Sequence, residues 1–403
     1  MRVQLSAILL GWLMLSAHAA PGQTPGAADG LTVYATAYYH LHTNLTRREA
    51  VPYGRHLDTI HAAYARRFAR FGDRPAGRMS VYLFRTRDQY LDFLEAHDVA
   101  AHGSGGVFFV THDLRGLATW TDGHPRRQTF RTLQHEGFHQ FAWHHLGPQL
   151  PHWVNEGLAQ YFEDAVPTAS GLTLGLADAG RVARVRGAIT RRETLPLAAI
   201  AGSGRAEWLA ALRYDPERAT LLYAQSWSLV YFLIHGEGGR YRPAFEDYLQ
   251  HLAEGETSED AFAAAFGGLP LPALGPRWRA HAFGQTVSEP VAATDELVLL
   301  GEALLLLHRR DETPRRFDEL RQRIDTLGVT VTRVVDGAAT RVPADDDLFT
   351  YRRPGGEASE YLLLEPAAAG LPPRLAAPGL SPEPTLVWQA GPDGEPRYDL
   401  TYR

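Results

Sequence analysis

The stretch Gln134-His135-Glu136-Gly137-Phe138-His139 sets two histidines four residues apart with a glutamate between them. On a helix, that spacing puts both imidazoles on one face about one turn apart, where they can reach a single ion, and leaves the glutamate beside them free for another role. At about 100° per residue, Phe130, Leu133, Gly137 and Phe141 gather within roughly 60° of one direction, and His135 and His139 point well away from it. The helix is therefore expected to anchor by one face and offer its histidines on another, until Gly147-Pro148 stops it. A second helix is expected after Pro151, in Trp153-Val154-Asn155-Glu156-Gly157-Leu158-Ala159-Gln160-Tyr161-Phe162-Glu163, with Glu156 in its first turn. Two antiparallel helices joined by a short turn bring that carboxylate back toward the histidine pair. The result is a His2Glu set with a fourth position open, the arrangement of catalytic rather than structural zinc. Chance alone places such a histidine motif in a chain of this composition about 5% of the time, so the glutamate on the following helix carries much of the weight.

These residues resemble the gluzincin metallopeptidases, the thermolysin-like clan, and the Trp-x-Asn-Glu-Gly-x-x-x-Tyr-x-Glu form is similar to the membrane-alanyl-aminopeptidase branch. The region also resembles bacterial peptidase-MA-like proteins of unassigned substrate. The motif resemblance covers about Gly105 to Glu163, with a weaker similarity to about Trp278. It implies that His135, His139 and Glu156 bind one Zn2+ per chain and that Glu136 is the general base. Elementary chemistry agrees: zinc lowers the pKa of its water toward about 7, and Glu136 can take the proton and later deliver it to the leaving amine.

The resemblance implies further roles, each with a structural alternative. The family supplies a Tyr or His that hydrogen-bonds the developing oxyanion; Tyr223 has a fitting position, and is equally at home as a core tyrosine spaced with Trp227 and Tyr231. Glu163, two turns beyond Glu156 on one face, is expected to accept the outer N–H of a liganding histidine, with Gln160 as rival. Asn155 either orients the site or starts the helix. Gly106, Val107 and Phe108 form an edge strand for an extended substrate backbone, or an ordinary sheet strand. The aminopeptidase branch carries a Gly-x-Met-Glu-Asn segment ahead of the zinc helix, whose Glu grips a free amine; Gly105-Gly106-Val107-Phe108-Phe109 has no acid there, which argues for an endopeptidase.

Composition narrows the chemistry. All 40 basic residues among the 403 are arginine and there is no cysteine, so lysine Schiff bases, a phosphate-loop lysine, thiol nucleophiles, thiolate metal sites and disulfides are excluded. A metal must be held by His, Asp or Glu, and 18 histidines are present. The formal charge of −6 argues against nucleic acid as a partner. Arg2, the apolar run Leu5 to Leu15 and Ala17-His18-Ala19 read as a bacterial-type signal peptide over 1–19, so the protein is expected to be exported, periplasmic or extracellular, with no membrane span after signal removal.

The elements that must position the site follow from periodicity and punctuation. Residues 20–30 read as a flexible leader, and 31–126 as the mixed α/β part of the catalytic unit: strands over Leu31–His42, Met79–Arg85, Gly105–Thr111 and Leu117–Thr121, with helices over Arg55–Phe71 and Arg87–His97. Residues 127–285 read as the helical part that carries the zinc site. Residues 291–403 read as a C-terminal α+β module, with helices over Thr294–Arg309 and Pro314–Leu327 followed by short alternating runs. The fold class expected is α+β, with a zincin-type catalytic domain. The function expected is a secreted zinc-dependent peptidase acting on a peptide or protein substrate; the competing readings are a catalytically silent peptidase-like binding protein and a zinc hydrolase of a non-peptide amide.

Overall fold

The computed structural model describes residues 13–14, 30–71, 77–99, 105–123, 125–335, 338–391 and 394–403. The expected signal peptide and leader lie outside these, apart from Leu13, Met14 and Gly30. Helices and strands are mixed throughout, in two compact units: residues Met1–Ala165 with Thr194–His281, and Val166–Glu193 with Ala282–Arg403.

The first unit is built on a sheet of β1 (Leu13–Met14), β2 (Thr32–Ala35), β3 (Tyr39–Thr43), β4 (Met79–Phe84), β5 (Gly106–Val110) and β6 (Arg115–Trp120), in the order β1-β5-β6-β4-β3-β2. β3, β4 and β6 run parallel, whereas β2 and β5 are antiparallel to their neighbours β3 and β6. The two-residue β1 lies parallel to β5. The central strand β4 is apolar at nearly every position, as burial on both faces requires. Successive side chains of β5 point to opposite faces. Val107 and Phe109 join Tyr82, Tyr90, Phe93 and Trp120 in the core, while Gly106 faces the helix α3 (Arg126–His145).

Two segments differ from the sequence expectation. Leu31–His42 is a hairpin, β2 and β3, rather than one strand. Asp58 holds the turn, accepting from Thr36 Oγ1 at 2.7 Å, Tyr38 N at 3.1 Å and Ala37 N at 3.2 Å. The helix expected over Arg55–Phe71 is α1, Arg47–Arg67; it begins earlier because Thr46 and Glu49 form a capping box, with Thr46 N donating to Glu49 Oε2 at 2.8 Å, and it tolerates Pro52.

Helix α2 (Arg87–Ala96) covers one face of the sheet, and α3 lies on the other together with α1. After the turn at Gly147, α4 (His152–Glu163) runs back antiparallel to α3 and packs on the long helix Pro216–Gly239. Gly157 makes that packing possible: a Cβ there would meet Ser226 O and Val230 Cγ2 at 2.6 Å.

In the second unit, helices Glu289–His308 and Phe317–Leu327 pack on an antiparallel sheet of Leu362–Leu364, Arg374–Ala376, Pro384–Ala390 and Pro396–Tyr402. Its core is hydrocarbon, including Leu297, Leu300, Leu304, Ile324, Leu386 and Trp388. Among the described residues, no helix is long and apolar enough to cross a membrane.

Candidate metal centre

Helix α3 does not present its histidines on an open face. Every residue from Thr132 to Ala142 is buried, because the sheet, α1 and α4 close on it from different sides. Gly137 lets α1 approach, with Ile60 Cδ1 3.1 Å from where a Cβ would stand, and the Tyr64 hydroxyl donates to the Gln134 carbonyl. The expected direction of the histidines is nonetheless productive, since α4 fills the space they face.

His135, His139 and Glu156 are each at most 2% exposed, and one ligand atom from each lies within 4.8 Å of the others. His135 Nε2 is 3.4 Å from Glu156 Oε2, and His139 Nε2 is 3.7 Å from Glu156 Oε1. Donors on a tetrahedral zinc at about 2.0–2.1 Å stand about 3.3–3.4 Å apart, so the set is close to closing on an ion without moving a helix. The buried His135 Nε2 and Glu156 Oε2 have no hydrogen-bond partner among the described residues, as ligand atoms awaiting a cation would not. Three buried carboxylates, Glu136, Glu156 and Glu163, also surround the pair, a concentration of negative charge that a divalent cation offsets. The residues present therefore fit a metal ion.

The neighbouring groups orient the three. Glu163 Oε2 lies 3.1 Å from His135 Nδ1, whereas Gln160 is occupied elsewhere, its Nε2 donating to the Tyr223 carbonyl at 3.0 Å. Asn155 stands by His139 and acts on its imidazole upward. Burial pushes the His139 imidazole down to about 4, keeping it in the neutral form that ligates. Burial acts the same way on His135, but the adjacent Glu156 and Glu163 carboxylates outweigh it and raise that imidazole to about 10. Glu156 feels burial upward and the two imidazoles downward, and ends below the usual carboxylate range.

Glu136 stands apart from the ligand set. Its Oε2 accepts the Phe108 N–H at 2.7 Å, a bond that β5 directs at the carboxylate rather than at β6. Burial, reinforced by Glu156 and Glu163, pushes the carboxyl up to about 7 against the opposing pull of His135 and the Phe108 N–H. Gly106 is what lets β5 come so close: a Cβ there would clash with Thr132 Cγ2 and meet Glu136 Cγ at 3.4 Å. Of the three strand residues singled out from the sequence, Gly106 is thus a packing position and Val107 is core, while Phe108 touches the site through its backbone. The Tyr223 ring packs edge-on against Trp208 at 5.0 Å, and its phenol is raised well above its ordinary value by burial and by the nearby Glu156 and Glu136. A small cleft lined by Trp143, Pro148 and Leu150 among others reaches His139 and Asn155.

Two residues that the sequence reading did not single out complete the site. Gln134 Nε2 donates to three carbonyls at the end of α4, those of Phe162 at 2.6 Å, Ala165 at 2.9 Å and Glu163 at 3.1 Å. Arg131, one turn before His135, donates through Nη2 to Glu163 Oε1 at 3.0 Å and Asp164 Oδ1 at 3.1 Å. Both partners lie about thirty residues along the chain, and nothing in local spacing reveals them.

A family model described as "Protein of unknown function (DUF1570)" matches residues 129–257, a span that holds His135, Glu136, His139, Glu156, Glu163 and Tyr223. No curated protein matches the chain.

Proposed function

We propose that this chain is an exported zinc-dependent peptidase of the gluzincin type with a zincin-type catalytic domain, and an endopeptidase rather than an aminopeptidase. The observation that carries the reading is the buried His135-His139-Glu156 cluster with the Glu136 carboxylate beside it and outside the ligand set. Bound zinc would acidify a water and polarise the substrate carbonyl.

The chain's own residues supply the rest. Glu136 accepts the proton of the attacking water as the new C–O bond forms, and returns it to the amine nitrogen as the C–N bond breaks. Burial of that carboxyl favours its taking up the proton. The Phe108 N–H restricts the carboxylate's rotation, so that its second oxygen serves the water. Tyr223, protonated throughout because its phenol is so strongly raised, donates a hydrogen bond to the developing oxyanion. Glu163 fixes the His135 ring, and Asn155 stands by His139. The absence of an acid in Gly105–Phe109 supports internal cleavage, since nothing there grips a free amine. Arg2 and the apolar run after it support export.

The test is to measure bound zinc, and cleavage of a mixed peptide library, for the wild type and Glu136→Gln. Stoichiometric zinc in both and cleavage by the wild type alone is the expected result. Absence of zinc, or equal cleavage by the variant, would sink the mechanism. Cleavage confined to N-terminal residues would restore the aminopeptidase reading, and zinc without cleavage would favour a silent binding protein or a non-peptide amide as substrate.

A further inference from the structure

The end of α4 carries an electrostatic problem. Glu163 is its last residue and Asp164 caps it, so two carboxylates sit at the negative end of the helix dipole. Their side chains are only 7% and 2% exposed, which deprives them of the water that would ordinarily stabilise them there. The Arg131 guanidinium on α3 meets both, and it too is largely covered, at 24%.

Glu163 divides its two oxygens between opposite partners: Oε1 takes the Arg131 N–H, and Oε2 faces His135 Nδ1. With Oε1 held, rotation of the carboxylate is fixed and Oε2 stays aimed at the ring. A ring that donates from Nδ1 turns its Nε2 lone pair toward Glu156, 3.4 Å away. Arg131 touches none of the three ligand residues through any of these bonds, yet the chain Arg131, Glu163, His135 ends at one of them.

We propose that Arg131 is a positioning residue of the metal centre: by holding Glu163 across from His135 it sets the orientation of that ligand and hence the zinc affinity of the site. Without the guanidinium, Glu163 and Asp164 repel each other in a buried place and the carboxylate turns away from the ring. The inference rests on the zinc reading above, and asks a question that reading leaves open.

The test uses the full chain and zinc alone, with affinity measured by competition against a chromophoric chelator and folding followed by circular dichroism. R131M and E163Q are each expected to weaken zinc about tenfold. The R131M/E163Q double variant should bind about as E163Q does, because the two residues act in series. R131K, which keeps the charge, should recover most of the loss. A purely structural role for Arg131 predicts the opposite pattern, with additive losses and zinc affinity following thermal stability rather than Glu163. Should R131M not fold, R131Q takes its place in the same cycle. A wild type that binds zinc while R131M binds equally well, or while the losses add, overturns this inference alone; a wild type that binds no zinc overturns the metal reading along with it.

Discussion

Around α3 and α4 the first unit buries Glu136, Glu156, Glu163, Asp164, His135 and His139, each at most 5% exposed. The second unit does the reverse. Its central cluster is leucine, isoleucine and aromatic carbon, and pairs such as Arg316–Asp318, Arg321–Asp346 and Arg323–Glu312 lie at its exposed surface. Apolar burial stabilises at about 25 cal/mol per Å2, whereas a buried carboxylate costs free energy until something compensates it. The second arrangement is what stability alone would select. The first needs another reason, and a cluster of buried titratable groups with shifted pKa values is the pattern of a functional site.

The largest effect that could break this contrast comes from Glu136→Gln. If the carboxylate is there for chemistry, kcat falls by about 10²–10⁴-fold while the melting temperature holds or rises, because a costly buried charge is gone. A variant that loses stability and keeps its rate would place Glu136 with the structural residues.

Next in size is a pH effect confined to the first unit. His56 is buried and stacked on Phe130 at 3.9 Å. Burial pushes its imidazole down to about 4, against hydrogen bonds with Phe130 and Gln134 that raise it. The folded pKa therefore lies below the unfolded value of about 6.5, and between the two the unfolded chain binds more protons. Stability is then fully present above about pH 6.5 and is lost as pH falls toward 4, by on the order of 3 kcal/mol for this group. Denaturant unfolding at pH 7 and pH 4.5 reads it. His56→Phe should flatten the decline, and an unchanged slope would show that His56 is not what titrates.

How far this division was legible in the sequence depends on the range of the interactions. The His135–His139 pair and Glu156 were visible because helical spacing is local, and so was Glu163, two turns from Glu156. Strands β4, β5 and β6 were legible as short apolar runs, and helix α2 as the helical segment after β4. The β2–β3 turn was not readable, since Asp58 holds it from a later helix, and the start of α1 was obscured by Pro52 although Thr46 and Glu49 signal it. Arg131 and Gln134 look like ordinary helix residues until the end of α4 is laid beside them. How deeply the face that carries His135 and His139 is buried is likewise a property of what packs there.

Two glycines sharpen the contrast at smaller scale. A Cβ on Gly157 would lie 2.6 Å from the Ser226 carbonyl, a backbone atom that cannot step aside, whereas one on Gly301 in the second unit would meet Leu386 Cδ1 at 2.5 Å, the end of a flexible side chain. Gly157→Ala should cost about 1–3 kcal/mol and displace α4, weakening zinc along with stability. Gly301→Ala should cost less, because Leu386 can change rotamer, and should leave zinc binding untouched. Paired thermal melts and zinc titrations decide it; equal costs would show that the hydrocarbon core is no more forgiving than the site.

The smallest effect concerns one chemical pair in two settings. Arg323 and Glu312 meet at 3.1 Å in the second unit with side chains 46% and 41% exposed, almost the distance at which Arg131 meets Glu163 under cover. Water screens the exposed pair and both long side chains lose rotamer freedom to make it, so its net worth is about 0.2–1 kcal/mol. Arg323→Ala should therefore lower the melting temperature by no more than about 2–4 °C, and by less as salt is raised, because added ions screen the attraction that was removed. Arg131→Met carries the same loss of charge into a place where two carboxylates have no water to fall back on, and its stability cost should persist in high salt. A salt dependence shared by the two variants would mean that solvent reaches Arg131 as freely as Arg323, and that the Gln134 amide contributes more than Arg131 to holding the end of α4.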